Sequence, residues 1–485
     1  METESELLAL RREKLEALRA QGIAPFGAAF EISGDIGQVQ RNFSEGAPFR
    51  IAGRITAHRN MGRSHFLDLR DATGRMQIYL QAKELGDEAM EIFNLLDLGD
   101  FIGVEGTCFK TKTGEPTLKV HRFELLAKSM RPLPEKWHGL QDVEARYRQR
   151  YLDLITNDRS RDVFAKRIRV LSETRRFLEE KGFVEVETPI LQSVAGGAAA
   201  EPFRTHHKAL GLDLYLRIAP ELYLKRLLVG GFNKVFELNR NFRNEGISRR
   251  HNPEFTMLEV YWAYANFEMM ADLVESLICH LAETVVGGLK IEHSDAEGNV
   301  ARTIDLKRPW RRARYHDLVR EVAGKDWFEI SAEERRARAK TLGVEIGAQL
   351  VDFEVTQHVF EKLVEEKTFD PLFVTHCPKE LVPLAKQNRE NPEVVDVYEL
   401  IINGVEISPG YTELNDPAVQ RQRLLEQAGE ETQRLDEDFL LALEHGMPPA
   451  GGFGLGIDRL TMLLTGAESI RDVILFPLLK PKRVT

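Results

Sequence analysis

Alternating polar and apolar residues predict two β-strands between residues 236 and 261, joined by a loop rich in charged side chains. On the first strand one face carries Phe236, Leu238, Arg240 and Phe242, and the other carries Glu237, Asn239, Asn241 and Arg243. On the second strand one face carries Phe255, Met257, Glu259 and Tyr261. A solvated hairpin is the ordinary interpretation of so many charges, but interleaved aromatic rings favour a floor for a planar, charged ligand.

Shorter alternating runs predict a β-rich region before this hairpin. The predicted strands are residues 49–59, 64–71, 75–81, 100–110 and 116–127, with a helical segment at 83–96 between the third and fourth. Five strands with a helix in that gap are the plan of an OB-fold barrel.

The register of the hairpin across Asp71–Gly74 can be predicted from its loop length. The core-facing pairs are Leu67 with Ile78 and Leu69 with Met76, and the outer pairs are Asp68 with Gln77 and Phe66 with Tyr79. Outer aromatic rings beside Gln77 and Arg59 suit single-stranded nucleic acid, because rings stack on bases while amides and guanidinium groups bind edges and backbone. A merely amphipathic strand pair fits this pattern equally well.

The chain divides into four segments by composition and pattern. We predict an N-terminal helix and connector at 1–45, an OB-fold at 46–131, a linker containing Pro132 and Pro134 at 132–145, and a second domain at 146–485. A long helical stretch is predicted from about 142 to 181, and strands and helices alternate after it. Residues 310–365 carry no readable motif and are treated as a helical subdomain.

A second hairpin is predicted by Asn403-Gly404, the strongest short-range signal for a two-residue turn. That turn pairs Ile402 with Val405, Ile401 with Glu406 and Glu399 with Ser408. Glu399 and Glu406 then share a face as diagonal neighbours, about 7–8 Å apart. They are either two solvent-facing glutamates or the ligands of a Mg²⁺ ion shared with substrate phosphates. Tyr411 and Glu413 follow closely and suggest a cationic ligand.

Glycines at 451, 452, 454 and 456 precede Asp458, Arg459 and an apolar helix. A dinucleotide fingerprint is disfavoured, because no strand-helix-strand unit can follow and no ribose-binding acid is in place. Glycines instead let the backbone approach a ligand, and Arg459 lies in the first turn of the helix, where an anion is favourable.

Composition restricts the class of protein. With 485 residues, two or more domains are expected. The net charge is −10, so nucleic acid would have to bind a local patch. Cys108, Cys279 and Cys377 lie far apart without CxxC spacing, which predicts neither zinc nor disulfides and a reducing compartment. No apolar run is long enough to span a bilayer, so we expect a cytoplasmic location without membrane contact.

Three motifs in order resemble those of class II aminoacyl-tRNA synthetases. They are EEKGFVEVETPIL after a helix, FRNE followed by RHNPEFT, and GLGIDR, whereas the class I signatures HIGH and KMSKS are absent. The sequence FRNEGIS…RHNPEFTMLEVY is similar to the corresponding segment of the bacterial-type lysyl enzymes of class IIb. The resemblance covers nearly the whole chain, and it implies a further strand at Val473–Pro477. It implies an α/β (α+β) fold, in which a catalytic domain built on an antiparallel sheet flanked by helices follows the OB-fold.

The resemblance also implies an activity and a set of roles. The implied activity is activation of L-lysine with ATP to lysyl-adenylate and transfer to tRNA-Lys, by a homodimer with Pro189 at its interface. The implied cofactor is Mg²⁺, held by Glu399 and Glu406. The implied ATP site consists of Arg243, Glu245, His251, Phe255 and Arg459, with Arg243 and Arg459 catalytic. The implied lysine site consists of Gly197, Glu221, Glu259, Tyr261, Tyr411 and Glu413. The implied anticodon contacts are Arg59, Phe66 and Gln77.

The sequence departs from the family pattern at Pro409, Val397 and Val382, where Asn, Arg and Ser are usual. Two alternative functions share parts of the pattern. An aspartyl or asparaginyl synthetase shares the motifs, but its amino-acid pocket should be basic. A non-canonical lysine-binding paralogue tends to lack the anticodon domain, which this chain retains.

Overall fold

The computed structural model describes residues 4–134, 142–198, 200–295, 297–347, 349–382, 385–428 and 435–481. The chain forms two compact units, residues 1–141 and 142–485. Within the described ranges, no helix is long and apolar enough to cross a membrane.

The first unit is a closed barrel with strand order β1-β2-β3-β5-β4. Its strands are β1 (Pro48–Asn60), β2 (Ser64–Arg70), β3 (Arg75–Gln81), β4 (Phe101–Lys110) and β5 (Pro116–Ala127). Its helices are α1 (Glu4–Ala20), α2 (Ile36–Arg41), α3 (Ala82–Leu85) and α4 (Asp87–Asn94). The predicted β2–β3 register is confirmed, with Leu67 opposite Ile78 and Phe66 opposite Tyr79. Leu18 of α1 packs into the barrel core.

The second unit is built on a mixed, mainly antiparallel sheet. Its strands are β6 (Val184–Glu185), β7 (Leu191–Gln192), β8 (Arg204–His207), β9 (Leu212–Leu216), β10 (Lys234–Phe242), β11 (Glu254–Ala263), β12 (Lys290–Ser294), β13 (Val300–Asp305), β14 (Arg311–Arg314), β15 (Leu372–Thr375), β16 (Val397–Ile402), β17 (Val405–Thr412) and β18 (Ala450–Gly456). The main sheet has the order β14-β15-β16-β17-β18-β11-β10-β6. Two smaller sheets are β12-β13 and β7-β9-β8.

The helices of this unit flank the sheet. They are α5 (Val143–Arg148), α6 (Arg150–Thr156), α7 (Asp158–Glu180), α8 (Glu221–Val229), α9 (Phe267–Leu281), α10 (Tyr315–Ala323), α11 (Ala332–Thr341), α12 (Asp352–Leu363), α13 (Pro417–Ala428), α14 (Glu437–Glu444), α15 (Ile457–Thr465) and α16 (Ile470–Val473). A π-helical turn, Ala282–Val286, extends α9, and a 3₁₀ turn, Glu365–Lys367, follows α12.

Two sequence predictions in this unit need correction. The stretch 142–181 forms three helices, because the backbone leaves the helical region at Gln149 and Asn157. The strand predicted at 473–477 is wrong. The buried guanidinium of Arg150 donates hydrogen bonds to the carbonyls of Arg471 (2.7 Å) and Leu475 (3.0 Å), so these groups satisfy an arginine and not a neighbouring strand.

One face of the main sheet is core and the other is open to a cleft. Leu258 and Val260 of β11 pack in the main hydrophobic cluster with Val274 and Ile278 of α9. The alternate residues of β11 therefore point to the opposite face, where the candidate site lies. Helices α10 and α12 share a second core with β15 and β16.

Candidate active site

The β10–β11 pair forms the floor that its alternation predicts. Glu237 lies opposite Glu259, Asn239 opposite Met257 and Asn241 opposite Phe255, so the predicted faces are confirmed. Glu237 is already occupied: it accepts hydrogen bonds from Arg217 Nη1 (2.6 Å) and Thr188 Oγ1 (2.7 Å). Glu237 therefore braces the floor and leaves Glu259 as the carboxylate available to a ligand.

One end of this floor gathers every residue predicted for ATP. Arg243, Glu245, His251, Phe255 and Arg459 line one pocket, together with Glu406 and Pro409. The Arg243 guanidinium carbon lies 5.1 Å from the centroid of the half-buried Phe255 ring. Arg459 donates to the Glu406 carbonyl (2.8 Å) and to His251 Nε2 (3.2 Å). Burial and the charge of Arg459 lower the pKa of His251, so a neutral imidazole accepts this bond.

Asp458 is a supporting residue to which the sequence argument gave no role. Its Oδ2 accepts from the Thr256 amide (2.8 Å), and its Oδ1 pairs with Arg167 Nη1 of α7 (2.6 Å). The carboxylate is almost fully buried, so both contacts are shielded from water. Asp458 thereby fixes the start of α15, and with it Arg459, against β11.

The β16–β17 hairpin has the predicted Asn403-Gly404 turn but a different register beyond it. Ile401 pairs with Glu406 as predicted, whereas Glu399 pairs with Pro409 and not with Ser408. The difference is a β-bulge at Ile407, which places an extra residue on β17. Glu399 and Glu406 still share a face. The bulge also brings Pro409 and Tyr411 to that face.

The two glutamates form an acidic cluster with α12 and the 3₁₀ turn after it. Burial, followed by the charges of Glu406, Glu365 and Glu361, raises the pKa of Glu399 to about 8. In the described part of the chain, neither Glu399 nor Glu406 forms an ion pair with a side chain. A cation would relieve this repulsion, so the oxygen-rich face fits a hard ion such as Mg²⁺.

The other end of the floor is an acidic pocket formed by α8, β11 and β17. Glu221, Glu259, Tyr261 and Glu413 are buried there, and Tyr411 is half-buried. Tyr261 donates to Glu259 Oε2 (3.2 Å), and burial raises the pKa of Glu259 to about 8. Gly197 has φ +87°, and a Cβ there would lie 3.1 Å from Glu221 Cβ. The structure therefore brings Gly197 against Glu221, beside the residues predicted for the lysine ammonium.

Glu413, which the sequence associates with a cationic ligand, already has a cationic partner within the protein. Its Oε2 lies 2.6 Å from Nζ of Lys225, which also lies 2.6 Å from Glu221 Oε1. Lys225 was missed by the sequence argument, although its i, i+4 spacing from Glu221 in one helix was a readable signal. Within the described residues, Glu413 Oε1 accepts no hydrogen bond and remains available to a ligand.

Glycines of β18 give this pocket its depth. Gly452 lies between Tyr261 of β11 and Tyr411 of β17 in the sheet. A Cβ at Gly452 would lie 2.2 Å from Glu413 Oε1 and 2.8 Å from the Tyr261 ring. The carboxylate and the phenol can occupy their positions only because residue 452 lacks a side chain.

Replacing Gly452 by alanine is therefore expected to raise KM for the amino acid about tenfold and leave KM for ATP within about twofold, since overpacking costs about 1–3 kcal/mol. Steady-state pyrophosphate exchange measures both constants. Gly288→Ala is the matched control, because a Cβ at Gly288 meets nothing within 4 Å. Equal changes in both constants would contradict a role confined to the amino-acid pocket.

The predicted nucleic-acid platform of the barrel is only partly open. Phe66 and Tyr79 are half-buried, and their ring centroids lie 4.9 Å apart. Arg59 lies 3.6 Å from the buried Asp68. Gln77 is 5% exposed, donates to Glu115 Oε2 (3.2 Å) and accepts from Thr117 Oγ1 (2.9 Å). The two rings and Arg59 are accessible, whereas a base could reach the Gln77 amide only by displacing Glu115.

Comparison with known families agrees with this geometry. The family model described as tRNA synthetases class II (D, K and N) matches residues 142–480, and the OB-fold nucleic acid binding domain matches residues 49–126. The chain belongs to the class II tRNA synthetases of the D, K and N group. The predicted family and fold class are thereby confirmed.

Relatives of this synthetase match its sequence over nearly the full length. It is 50% identical to the lysine–tRNA ligase of Carboxydothermus hydrogenoformans, with 99% of both chains covered. It is 51% identical to that of Pelotomaculum thermopropionicum, over 99% of this chain and 96% of the relative. It is 47% identical to that of Staphylococcus aureus, with 98% of each covered.

The three residues at which this synthetase departs from its family pattern differ in burial and in what they contact. Val397 is fully buried opposite Tyr411, in the core shared with α10 and α12. Pro409 is half-buried opposite Glu399 and lines the pocket that contains the residues predicted for ATP. Val382 is buried in the core shared by α10 and α12. Pro409 is thus the departure in direct reach of a ligand.

Proposed function

We propose that this synthetase activates L-lysine with ATP and transfers it to tRNA-Lys. The observation that carries the proposal is the continuity of one floor. Arg243 and Phe255 lie at one end with Arg459, and the acidic pocket of Glu259 and Glu413 lies at the other. Such a floor suits a polyphosphate with a planar base next to a small molecule that carries ammonium groups.

The reaction requires positioning and charge neutralisation but no protein nucleophile. A carboxylate oxygen of lysine attacks the α-phosphorus of ATP, the bond to the bridging oxygen breaks, and pyrophosphate leaves with the electron pair. Arg243 would bind the α-phosphate and the lysine carboxylate, Phe255 would stack on adenine, and Arg459 would bind the γ-phosphate. Glu245 and His251 complete the wall of this pocket.

Glu399 and Glu406 would hold Mg²⁺, because their face concentrates carboxylates and, among the described residues, neither of the two forms an ion pair with a cationic side chain. When bound, the ion neutralises phosphate charge and helps to orient the polyphosphate. The protein contributes the shared face that the bulge at Ile407 preserves.

An aspartyl or asparaginyl enzyme is the competing assignment within the group. The pocket disfavours it, because Glu221, Glu259 and Glu413 would repel the side-chain carboxylate of aspartate and would find no cationic group on asparagine. The deciding experiment is ATP–pyrophosphate exchange with each amino acid in turn. We expect exchange with lysine alone, and exchange driven by aspartate or asparagine would contradict the proposal. Lysine binding without exchange would instead support a non-catalytic paralogue.

The barrel is proposed to bind the tRNA anticodon through Phe66 and Arg59. Phe66→Ala should raise KM for tRNA about tenfold, since one stacked base contributes about 1–3 kcal/mol, and should leave pyrophosphate exchange unchanged. Phe101→Ala is the matched control on another strand of the barrel, where Phe101 contacts Arg54. Parallel losses in charging and exchange would rule out a specific role in tRNA binding.

A homodimer working in the cytoplasm, where translation takes place, completes the proposal. Pro189 and its neighbours Ile190 and Leu191 are exposed, as are Phe476 and Leu478. Exposed apolar groups of this kind suit a protein interface. Sedimentation equilibrium measures the mass in solution, and a monomer at micromolar concentration would contradict the dimer.

A further inference from the structure

Lys225 is a buried cation in a pocket proposed to bind a cation. It lies on the second turn of α8, its side chain is 1% exposed, and its Nζ lies 2.6 Å from an oxygen of both Glu221 and Glu413. Glu413 follows β17, a strand distant in sequence from α8. A single ammonium therefore joins two neighbouring carboxylates of the proposed amino-acid site that come from different elements.

We propose that Lys225 is a positioning residue for lysine, which clamps Glu221 and Glu413 so that each presents its remaining oxygen to one amine of the substrate. This inference rests on the proposed specificity for lysine. Lys225 uses Oε1 of Glu221 and Oε2 of Glu413. In the part of the chain that is described, Glu413 Oε1 accepts no hydrogen bond, so it can accept one from a ligand.

The clamp also favours the ionised form of Glu413. The titratable and charged groups around the pair are Glu259 and Tyr261 from β11, Tyr411 from β17, and Glu221 and Lys225 from α8. Burial raises the pKa of Glu413 to about 7, the charge of Lys225 opposes that rise, and Glu221 adds to it. Without the ammonium, both effects that raise this pKa act unopposed, and the carboxylate takes up a proton at neutral pH.

The charge balance explains how an internal lysine can assist a lysine substrate. Lys225 neutralises one of the two carboxylates that it touches, which leaves the pair with one net negative charge for the incoming ammonium groups. Both ends of the clamp are anchored in the fold. Helix α8 packs against β11 and α14 in one hydrophobic cluster, and the Glu413 amide donates to the Ala450 carbonyl of β18 (2.8 Å). The spacing of the two carboxylates is thus fixed before the substrate binds, which reduces the ordering cost of binding.

The test is Lys225→Met, which retains the length of the side chain and removes its charge, measured by lysine-dependent pyrophosphate exchange between pH 6 and 8. We expect KM for lysine to rise about 100-fold at pH 7, with KM for ATP within about twofold of wild type. In wild type, KM for lysine should fall as pH rises through about 7, because Glu413 ionises while the substrate ammonium stays charged. In Lys225→Met this fall should move to higher pH by about one unit or more.

Lys128→Met is the matched control. Lys128 is equally buried and bridges Asp97 (2.6 Å) and Asp100 (2.8 Å), but it belongs to the barrel. The Lys128→Met variant should be less stable than wild type, but its KM for lysine should show the wild-type dependence on pH. Lys225→Gln keeps a donor in similar volume and provides the same comparison if the methionine variant does not fold. An unchanged lysine KM and pH profile in a folded Lys225 variant would overturn the inference, and so would tighter lysine binding, which would make Lys225 a competitor. A wild-type chain without lysine-dependent exchange would overturn the proposed function instead.

Discussion

Replacing Arg243 by alanine is expected to lower lysine-dependent pyrophosphate exchange about 10³-fold while the protein remains folded. Arg243 follows β10 directly, and its guanidinium lies 5.1 Å from the Phe255 ring centroid, in the pocket that also contains Arg459. No other guanidinium of that pocket faces Phe255 in the described contacts. Loss of a pre-positioned charge at the phosphate should lower kcat more than it raises KM for lysine.

Arg240→Ala is the matched control for this prediction. Arg240 lies in β10, on the opposite face of the sheet, and its side chain is 44% exposed, with Glu254 3.6 Å away. Its loss should change exchange less than about twofold, because exposed ion pairs contribute little. Circular dichroism and thermal unfolding should be similar for both variants. An Arg243→Ala enzyme within tenfold of wild-type activity would remove Arg243 from the proposed mechanism.

Replacing Glu413 by glutamine is expected to raise KM for lysine at least about 100-fold, with a much smaller effect on KM for ATP. The substitution preserves the shape of a side chain that is 1% exposed and removes only its charge. Truncating one partner of a buried, hydrogen-bonded charge pair costs about 2–5 kcal/mol, which corresponds to roughly 30-fold to several thousand-fold in affinity. The variant should also unfold at lower temperature, since Lys225 keeps only Glu221 as a partner.

Stability and recognition can be separated in this second experiment. Glu437→Gln changes a glutamate whose side chain is 62% exposed and paired with Arg421, so it should affect neither property. Differential scanning fluorimetry with and without lysine measures stability and binding on the same samples. Equal increases in KM for lysine and for ATP would show that Glu413 supports the whole site and does not select the amino acid.

Much of the site could be predicted because it depends on local periodicity. The two faces of β10 and β11 follow from strict alternation, and the register of β2 and β3 follows from the length of one turn. The position of Arg459 follows from a glycine-containing strand that runs directly into a helix. In each case the residues concerned are close in sequence, so the pattern contains the required information.

The features that were missed depend on contacts between distant segments. The contact of Lys225 with Glu413 joins α8 to β17, and no local pattern reports it. Around the segment predicted as a strand at 473–477, backbone carbonyls accept hydrogen bonds from Arg150, which lies near the start of the unit in sequence. The bulge at Ile407 had one local indicator, because a proline such as Pro409 inside a paired strand often accompanies a bulge.

The bulge has a consequence for how this enzyme can change over evolution. Glu406 and Glu413 are separated by an odd number of positions, and an unbroken strand would direct their side chains to opposite sides of the sheet. The extra residue at Ile407 reverses the phase, so β17 and the residue after it direct Glu406 to the proposed polyphosphate site, and Tyr411 and Glu413 to the proposed amino-acid site. Insertions or deletions between these positions would alter the binding of both substrates at once. Changes of amino-acid specificity are therefore accessible mainly through substitutions that preserve the length of this segment.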